Sequence, residues 1–323
     1  MKENFWKELQ LKGQPILALA PMAGFTDIAF RQICSEYGAD VVYSEMASAT
    51  ALYYRQADSD NETLRLLSWN PQRENKYVVQ LFGAEPEHFA VAARIVTKKI
   101  RPHGIDINFG CPAGKVLKQG AGADLAKNPV LARAVIKSVL DNTSLPVSIK
   151  IRACAGKVDA VSFLKNVGDL PIAAVMIHGR TLGQGFAGEV NYHIVKEVRS
   201  FYNGPIIING GIVDIETARM ALAESGADGV GLGRGALARP WLFQELKKGK
   251  PIVYGQKEIL ALLYRHACLI CELKGESALV EWRKQACWYV QGLAGASRLR
   301  SRLVQVSTLA DVKLILNAYG VND

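Results

Sequence analysis

The chain has 323 residues, of which 49% are hydrophobic and 21% charged, and its formal net charge is +9. This composition is typical of a soluble globular protein, and the length favours one large domain followed by a smaller one. No apolar run approaches the roughly 20 residues that span a bilayer, and residues 1–14 lack the apolar core of a signal peptide, so we expect a cytoplasmic protein without a membrane segment.

Short apolar runs alternate with amphipathic stretches as far as residue 245. Each run is rich in Val, Ile or Leu, as expected of strands that are buried on both faces. The predicted strands are Ile16–Ala20, Val41–Ser44, Tyr77–Leu81, Ile105–Asn108, Val147–Ile151, Ala174–His178, Ile206–Asn209 and Gly229–Gly233. The predicted helices are Asp27–Glu36, Pro86–Lys99, Pro129–Val139, Ala160–Val167, Ile194–Ser200 and Ile215–Glu224. An irregular loop or short helices are expected over Met46–Lys76.

Eight strands separated by helices predict an α/β fold of the (β/α)₈ TIM-barrel type, whose usual size is about 250 residues. The alternative, a doubly wound open sheet, places a glycine-rich turn after its first strand. Here the first strand runs into Pro21-Met22-Ala23-Gly24, and the glycine-rich segments follow the fourth, seventh and eighth strands. This distribution favours the barrel, which we assign to residues 1–250.

The pattern changes after Pro251, where no further strand is predicted. Three helices are expected, over Glu258–Leu273, Ser277–Ala294 and Leu309–Ala318. We therefore predict a small helical domain over residues 251–323. From Leu246 to the end of the chain there are 12 Lys or Arg and 6 Asp or Glu. This concentration of positive charge suits a polyanion such as nucleic acid, but a solvated basic surface explains the composition equally well.

Six cysteines in a chain of this length do not indicate a disulfide framework. Cys268 and Cys271 form the one closely spaced pair, and no second pair or histidine cluster completes a zinc site. Their Leu- and Ile-rich surroundings indicate a helix interior. We interpret them as buried helical thiols and predict no metal site.

Polar residues recur at the ends of the predicted strands, and in this fold the active site lies at the carboxyl ends. The residues at or just after these ends are Pro21, Met22, Glu45, Gln80, Asn108, Cys111, Lys150, His178, Asn209, Gly233 and Arg234. Any one of them could be an ordinary loop residue. The convergence of the whole set indicates an active site.

The seventh and eighth strand ends predict a phosphate site. Asn209-Gly210-Gly211 and Gly231-Leu-Gly233-Arg234-Gly235 are glycine-rich, and glycines let backbone N–H groups approach an anion closely while arginine adds a charged fork. Tight turns are the alternative explanation of the glycines. Two such segments at adjacent strand ends favour phosphate, which many barrels bind at this position.

A ring-sized pocket is expected beside that phosphate site. Pro21, Met22 and Ala23 offer an apolar backing for a planar ring, and Gln80 and Lys150 could serve its polar edge. A lysine that is buried without a partner is costly, whereas beside a flavin it would stabilise negative charge. Phosphate at one end and a ring at the other describe FMN better than a sugar phosphate.

Cys111 lies between Gly110 and Pro112 and ahead of Lys115 and Gly120-Ala-Gly122, so its thiol is expected on a loop. The reference pKa of cysteine, about 8.5, leaves a thiol mostly protonated at neutral pH, which suits a proton donor. Nearby lysines would equally favour the thiolate of a nucleophile. The residues alone leave both roles open.

Six motifs occur in a fixed order along the chain. They are Ala20-Pro-Met-Ala-Gly-Phe-Thr-Asp27, Ser44-Glu-Met46, Asp106-Ile-Asn-Phe-Gly-Cys-Pro112 with Lys115-Val116, Ser148-Ile-Lys-Ile-Arg152, Ile177-His-Gly-Arg-Thr181, and Gly233-Arg-Gly235 leading to Pro240-Trp241. Together they resemble the tRNA-dihydrouridine synthases, most closely the bacterial B-type branch. The resemblance runs from Ala20 to Leu246 and continues more weakly to Leu299.

This resemblance implies FMN reduced by NADPH, transfer of hydride to C6 of a uracil in tRNA, and protonation of C5 by Cys111. It also implies roles for the other residues. The flavin ring would contact Pro21, Met22, Ala23, Gln80, Lys150 and His178, and its phosphate Asn209, Gly210, Gly211, Gly233 and Arg234. The substrate side would include Asn108, Lys115, Arg152, Arg180 and Gln184. The helical domain would bind tRNA, and we expect a monomer.

The chain departs from the family pattern at three positions. Gln285 replaces the usual His of Arg283-Lys284-Gln285-Ala-Cys287-Trp288-Tyr289, which we expect to affect contacts with RNA. Gly211 stands where Asp is common, and Cys154 where Gly is usual. Two other functions fit part of the pattern: a flavin-dependent reductase or dehydrogenase of free pyrimidines, which needs no basic domain, and an inactive RNA-binding protein on the same barrel.

Overall fold

A closed barrel of eight parallel strands forms the centre of the protein in the computed structural model, which describes residues 4–55 and 61–321. The barrel strands are β1 (Ile16–Leu19), β2 (Val41–Ser48), β3 (Lys76–Phe82), β4 (Gly104–Phe109), β5 (Val147–Ala155), β7 (Ala174–Thr181), β8 (Ile206–Asn209) and β9 (Gly229–Leu232). The two-residue β6 (Val158–Asp159) pairs antiparallel with the end of β5. Pairing of β1 with β9 closes the barrel. The TIM-barrel prediction and all eight predicted strands are confirmed.

One helix precedes the first strand and the others follow strands along the chain. They are α1 (Phe5–Leu11), α2 (Ile28–Glu36), α3 (Ala49–Tyr54), α4 (Glu62–Leu66), α5 (Pro86–Ile95), α6 (Gly114–Leu117), α7 (Pro129–Asn142), α8 (Ala160–Val167), α9 (Ile194–Arg199), α10 (Ile215–Ser225), α11 (Arg234–Ala238) and α12 (Leu242–Lys248). A π-helical turn over Val96–Ile100 extends α5. From residue 256 onwards the chain is helical, with α13 (Gln256–Lys274), α14 (Leu279–Tyr289), α15 (Ala296–Leu303) and α16 (Leu309–Asn317). None of the helices that the structure describes is long and apolar enough to cross a bilayer.

Alternate residues of each strand face the barrel interior and the surrounding helices. In β5, Val147, Ile149 and Ile151 belong to the core between strands and helices. Ser148 and Lys150 therefore point into the barrel. The same alternation holds in the other strands. The polar residues near their carboxyl ends occupy the positions that face the barrel interior.

The short helix α1 lies at the amino end of the barrel. Trp6 is fully buried there, and its ring centroid lies 6.4 Å from that of the inward-facing Tyr43. A Cβ on Gly104, the first residue of β4, would lie 3.3 Å from the Phe5 ring. Helix α1 therefore covers the amino end of the barrel.

The C-terminal helices pack directly against the barrel. Their core includes Ala29 and Ile33 of α2 and Trp241. Arg265 of α13 forms an ion pair of 2.6 Å with Glu36. The barrel and the helical region thus share buried side chains, which fixes their relative position.

Three local expectations are corrected by the structure. The predicted helix Ser277–Ala294 ends at Tyr289, because the chain turns through Gly292 and Gly295 at positive φ. Helix α15 follows and was not predicted: its two large apolar residues, Leu299 and Leu303, lie among three arginines at positions 298, 300 and 302. Cys268 and Cys271 lie in α13 but are half-buried, not buried. The short helices that were one expectation for Met46–Lys76 are present as α3 and α4, after β2 ends at Ser48, while residues 56–60 lie outside the described part.

Replacement of Gly229 by alanine is expected to destabilise the barrel at its closure. A Cβ at this position in β9 would lie 2.2 Å from the carbonyl oxygen of Ile16, a backbone atom that cannot move aside without disrupting the β1–β9 pairing. Overpacking of this kind costs typically about 1–3 kcal/mol or more. Urea unfolding of Gly229→Ala should show that loss.

The matched control is Gly114→Ala in α6, where a Cβ would have no atom within 4 Å. It should leave the free energy of unfolding unchanged or slightly higher, because alanine favours a helix. Equal stability of the two variants would contradict the tight β1–β9 contact.

Candidate active site

A cavity of about 950 Å³ opens at the carboxyl ends of the strands. This volume is at the upper end of the range for small-molecule sites, about 300–1,000 Å³. Fifteen of the seventeen predicted site residues line it. They are Pro21, Met22, Ala23, Gln80, Asn108, Cys111, Lys150, Arg152, His178, Arg180, Asn209, Gly210, Gly211, Gly233 and Arg234.

Lys115 and Gln184 do not line this cavity. Lys115 is exposed on α6. Gln184 lies in the loop after β7, where its Oε1 accepts a hydrogen bond of 2.8 Å from the backbone N–H of Thr181 and its Nε2 donates to the carbonyl of Glu189. The contacts of Gln184 shape the loop.

Strand register brings the inward polar residues together. Asn108 of β4 is paired with Lys150 of β5, and Arg152 of β5 with His178 of β7. His178 is in turn paired with Asn209 of β8. Because all five residues have inward parity, their side chains form a continuous polar wall around one side of the cavity.

A chain of hydrogen bonds leads from the barrel interior to the Cys111 loop. Asp106 is fully buried and accepts from Gln80 Nε2 at 2.8 Å. Gln80 Oε1 accepts from Asn108 Nδ2 at 2.9 Å. Asn108 Oδ1 accepts from the backbone N–H groups of Gly110 and Cys111 at 3.0 and 2.9 Å. Since a carboxylate only accepts, Asp106 fixes the orientation of both amides and, through them, the turn that carries Cys111.

Asp106 was not identified from the sequence, where it appeared only as the first residue of a motif. Its other oxygen accepts a hydrogen bond of 2.7 Å from Ser148 Oγ. Burial raises the pKa of Asp106 to about 6, while the hydrogen bonds from Gln80 and Ser148 oppose that rise. The carboxyl is therefore mostly ionised at neutral pH and acts as the acceptor that begins the chain.

The Cys111 turn is held on its other side by a glycine. The carbonyl of Cys111 accepts from the N–H of Ala123 at 3.1 Å. A Cβ on Gly122, whose φ is +63°, would lie 3.0 Å from the Cβ of Cys111. This close packing leaves the thiol half-buried in the cavity wall.

Five cationic side chains line the cavity, and the last of them is paired with the buried Glu245: Lys150, Arg152, Arg180, Arg234 and Arg239. Burial, and then the nearby positive charges, lower the pKa of His178 to about 2. Burial, followed by the charge of Arg152, lowers the pKa of Lys150 to about 8. His178 is accordingly neutral at physiological pH, and the positive field of the site comes from the lysine and the arginines.

Arg152 binds backbone carbonyls instead of pointing a free guanidinium into the cavity. Its Nε donates to the carbonyl of Gly110 at 2.7 Å, and its Nη1 donates to that of Gly185 at 2.9 Å. It thereby ties the Cys111 turn to the loop after β7. The neighbouring Phe186, 58% exposed, lies 5.8 Å from the Arg152 guanidinium and 5.1 Å from that of Arg234. Phe186 lines the cavity but was not predicted as a site residue. The glycines near it on both sides, Gly185 and Gly188, were a signal in the sequence that this aromatic ring is exposed on a loop.

Backbone N–H groups are available for an anion at the ends of β8 and β9. Those of Gly210, Gly211 and Gly233 donate to no acceptor among residues 4–55 and 61–321. Gly210 has φ +113°, and a Cβ there would lie 2.7 Å from the His178 ring. Gly211 has φ +73°, which disfavours the Asp expected at this position from the resemblance. Together with the Arg234 side chain they form an anion cradle.

The helical region contributes to the cavity, which the sequence did not indicate. Trp288 and Gln291, at the end of α14, line it. Gln285 is buried, and its Nε2 donates to the carbonyl of Phe25 at 2.5 Å, just after Pro21–Ala23. The departure at Gln285 thus falls on the contact between the helical region and the barrel, and the expected effect on RNA contacts is not supported by its burial.

Comparison with known sequences identifies a family. A sequence model described as Dihydrouridine synthase (Dus) matches residues 18–320. The probable tRNA-dihydrouridine synthase 1 of Synechocystis sp. is 32% identical over 309 residues, covering 92% of this chain and 84% of the relative. The tRNA-dihydrouridine synthase B of Shewanella oneidensis is 33% identical over 320 residues, covering 96% of each chain.

Solved structures of other proteins share the fold. The old yellow enzyme homologue from Zymomonas mobilis has a TM-score of 0.52 and 14% identity over 74% of this chain and 90% of its own. Morphinone reductase has a TM-score of 0.52 and 14% identity over 74% of this chain and 87% of its own. At this identity the likeness shows the barrel fold alone.

Replacement of Asp106 by asparagine is expected to change how stability depends on pH. Because the pKa of Asp106 is raised in the folded protein from 3.8 to about 6, the native state binds this proton more tightly than the unfolded chain. Its contribution to stability is complete below pH 3.8 and is lost as the pH rises through 6. Between pH 3.8 and 6, the unfolding free energy of the wild type should fall by about 1–3 kcal/mol more than that of Asp106→Asn.

Urea unfolding from pH 3.5 to 8 measures this difference. Ser148→Ala, which keeps the carboxyl but removes a hydrogen bond that lowers its pKa, is the control; it should still lose stability as the pH rises, and the loss should extend to higher pH than in wild type. A difference between wild type and Asp106→Asn that stays constant with pH would show that Asp106 titrates like an exposed carboxyl.

Proposed function

The chain belongs to the dihydrouridine synthase family, and we propose that it is an FMN-dependent enzyme that reduces uridines of tRNA to 5,6-dihydrouridine with NADPH. The observation that carries this proposal is the position of Cys111 in the wall of a cavity that also contains an anion cradle. A thiol, a cationic polar wall and a cradle for phosphate are the groups that this reaction needs around one ring-sized space. The relatives named for tRNA support RNA as the substrate.

The residues present fit FMN. The unpaired N–H groups of Gly210, Gly211 and Gly233, with Arg234, would hold its phosphate. The apolar segment Pro21–Ala23 would back its ring, and Lys150 and Gln80 would meet the polar edge. When bound, FMN supplies the hydride that is transferred to C6 of the uracil.

Cys111 would supply the proton. Its thiol donates H⁺ to C5 of the uracil as hydride is added to C6, so the C5–C6 double bond gains two hydrogens and the thiolate is left to be reprotonated from solvent. The backbone hydrogen bonds from Gly110 and Cys111 to Asn108 Oδ1 hold the turn in place for this transfer. This choice of acid over nucleophile rests on the family.

His178 is neutral, so the net positive charge of the cavity comes from the lysine and arginine side chains that line it. Lys150 and Arg180 would attract the anionic phosphates of NADPH and of the RNA backbone. With a pKa of about 8, Lys150 remains mostly protonated at neutral pH. We assign it to the ring edge because it is paired in register with Asn108, beside the Cys111 turn.

Residues 251–323 are proposed as the tRNA-binding domain of this enzyme. The segment contains nine Lys or Arg and six Asp or Glu, and α14 reaches the mouth of the cavity through Trp288 and Gln291. A uridine must leave its stack to enter such a cavity, and basic residues must hold the backbone around it. We also propose that the protein works in the cytoplasm, where it would meet this substrate.

The test of this function is conversion of an unmodified tRNA transcript. Purified protein loaded with FMN is incubated with NADPH and the transcript, and the nucleosides are analysed by mass spectrometry. We expect dihydrouridine at defined positions, dependent on both FMN and NADPH. Turnover of free uracil without conversion of tRNA would favour the pyrimidine reductase instead, and RNA binding without either activity would favour the inactive protein.

Replacement of Cys111 by alanine should reduce the rate of dihydrouridine formation by about 10²–10⁴-fold, the usual contribution of a general acid. The thiol is the proton donor in the cavity wall, and alanine removes it with little change in volume. Single-turnover measurements on tRNA, with flavin absorbance to show that cofactor is present, give the rate.

The control for this variant is Cys154→Ala. Cys154 is half-buried near the end of β5 and does not line the cavity. Its replacement should leave the rate within about twofold of wild type, since surface changes away from a site have small effects. Full activity of Cys111→Ala would exclude Cys111 as the acid.

Replacement of Arg234 by glutamine should weaken FMN binding. A hydrogen bond to a charged group contributes about 1.5–3 kcal/mol, so the Kd should rise about 10- to 100-fold. Quenching of flavin fluorescence on titration measures it. Arg219→Gln on α10, whose side chain pairs with Glu216 on the surface, is the charge-matched control. An unchanged Kd for Arg234→Gln would remove that residue from the phosphate site.

A further inference from the structure

A second, smaller cavity of about 260 Å³ adjoins the first. It is lined by Cys287, Trp288, Gln291 and Arg300, and two of these, Trp288 and Gln291, also line the main cavity. These two side chains therefore form part of the wall of both spaces. We name the smaller one the α14–α15 groove.

The groove is formed by the turn that the sequence did not predict. Helix α14 ends at Tyr289, and positive φ angles at Gly292 and Gly295 reverse the chain into α15. Leu299 is buried in the core of the helical region. The adjacent Arg300 is exposed and is directed into the groove beside Trp288.

We propose that the α14–α15 groove binds a nucleotide that flanks the target uridine in the RNA. This inference rests on the proposed function and extends it to a second subsite. Arg300 would contact a phosphate of the strand, and Trp288 would provide a surface on which the flanking base stacks. A strand that delivers one base to the main cavity passes Trp288 to reach the groove.

The charges of the described residues support this occupant. Arg300 forms no ion pair with any carboxylate in the part of the chain that the structure describes, so its charge is available to an anion. No acidic residue lines the groove. A positive groove with an aromatic wall is the usual combination in proteins that hold single-stranded nucleic acid.

Stacking on Trp288 also fits the reaction. Extrusion of the uridine costs stacking energy on both sides of it. A tryptophan that borders both cavities can replace part of that lost stacking for the neighbouring base. Base–aromatic stacking changes affinity by about 5- to 150-fold per base when the ring is removed.

The test compares Arg300→Gln with Arg298→Gln. Both remove one exposed arginine from α15, but only Arg300 lines the groove. Binding of tRNA is measured from 50 to 300 mM salt. For Arg300→Gln the slope of log K against log salt should fall by about 0.7–1, the value for one lost phosphate contact. For Arg298→Gln the slope and the affinity should stay close to wild type.

Trp288 is tested with two variants, because it packs partly against the barrel core. Trp288→Leu should raise KM for tRNA about 5- to 150-fold. Trp288→Phe, which keeps an aromatic ring, should recover much of that loss. Equal KM values for the leucine and phenylalanine variants would exclude stacking at this position.

Other outcomes would overturn the inference. Equal losses of slope for the two arginine variants would indicate a general positive field and no subsite. An altered KM for NADPH with unchanged tRNA binding in Arg300→Gln would assign the groove to the nicotinamide nucleotide. Because the salt slopes are binding measurements, they remain informative if the wild type forms no dihydrouridine, which would contradict the proposed function alone.

Discussion

The geometry of the site depends on one buried carboxylate. Asp106 has two donors, Gln80 and Ser148, inside a barrel where an unpaired charge would be costly. Because the carboxylate accepts from the amide nitrogen of Gln80, the amide oxygen of Gln80 faces Asn108, whose own oxygen is then left to accept from the N–H groups of the Cys111 turn. The turn that carries Cys111 at the cavity wall is in this way fixed by a charge two side chains away, in the interior of the barrel.

The strands and most of the cavity could be predicted from the sequence for a physical reason. Strands that are buried on both faces produce compact apolar runs, and the residue at which each run stops marks the carboxyl end of the strand. Barrel closure brings those ends together. Gln80, Lys150 and His178 were found because they interrupt apolar runs at that point. Gly210 and Gly211 were found because glycines beside a strand end are unusual unless the backbone must turn sharply or approach a ligand closely.

Other residues could not be assigned because their roles depend on distant parts of the chain. Asp106 looks like any polar residue in a strand until the register places it against Gln80 and Ser148. Arg152 was expected near substrate, yet its hydrogen bonds are to carbonyls of two loops. Trp288 reaches the cavity only because the helical region packs on α2 and on the loop after β1, a tertiary contact with no local signal. The same packing makes the helical region part of the wall of the site.

A crystal structure of the protein with FMN would test the account most directly. The account predicts the phosphate within hydrogen-bond distance of the N–H groups of Gly210, Gly211 and Gly233, and the ring against Pro21–Ala23 with its polar edge towards Lys150. It also predicts that the Cys111 thiol faces the open side of the ring, with space for a uracil between them. An FMN phosphate bound elsewhere, or a ring that covers Cys111 and leaves no such space, would contradict it.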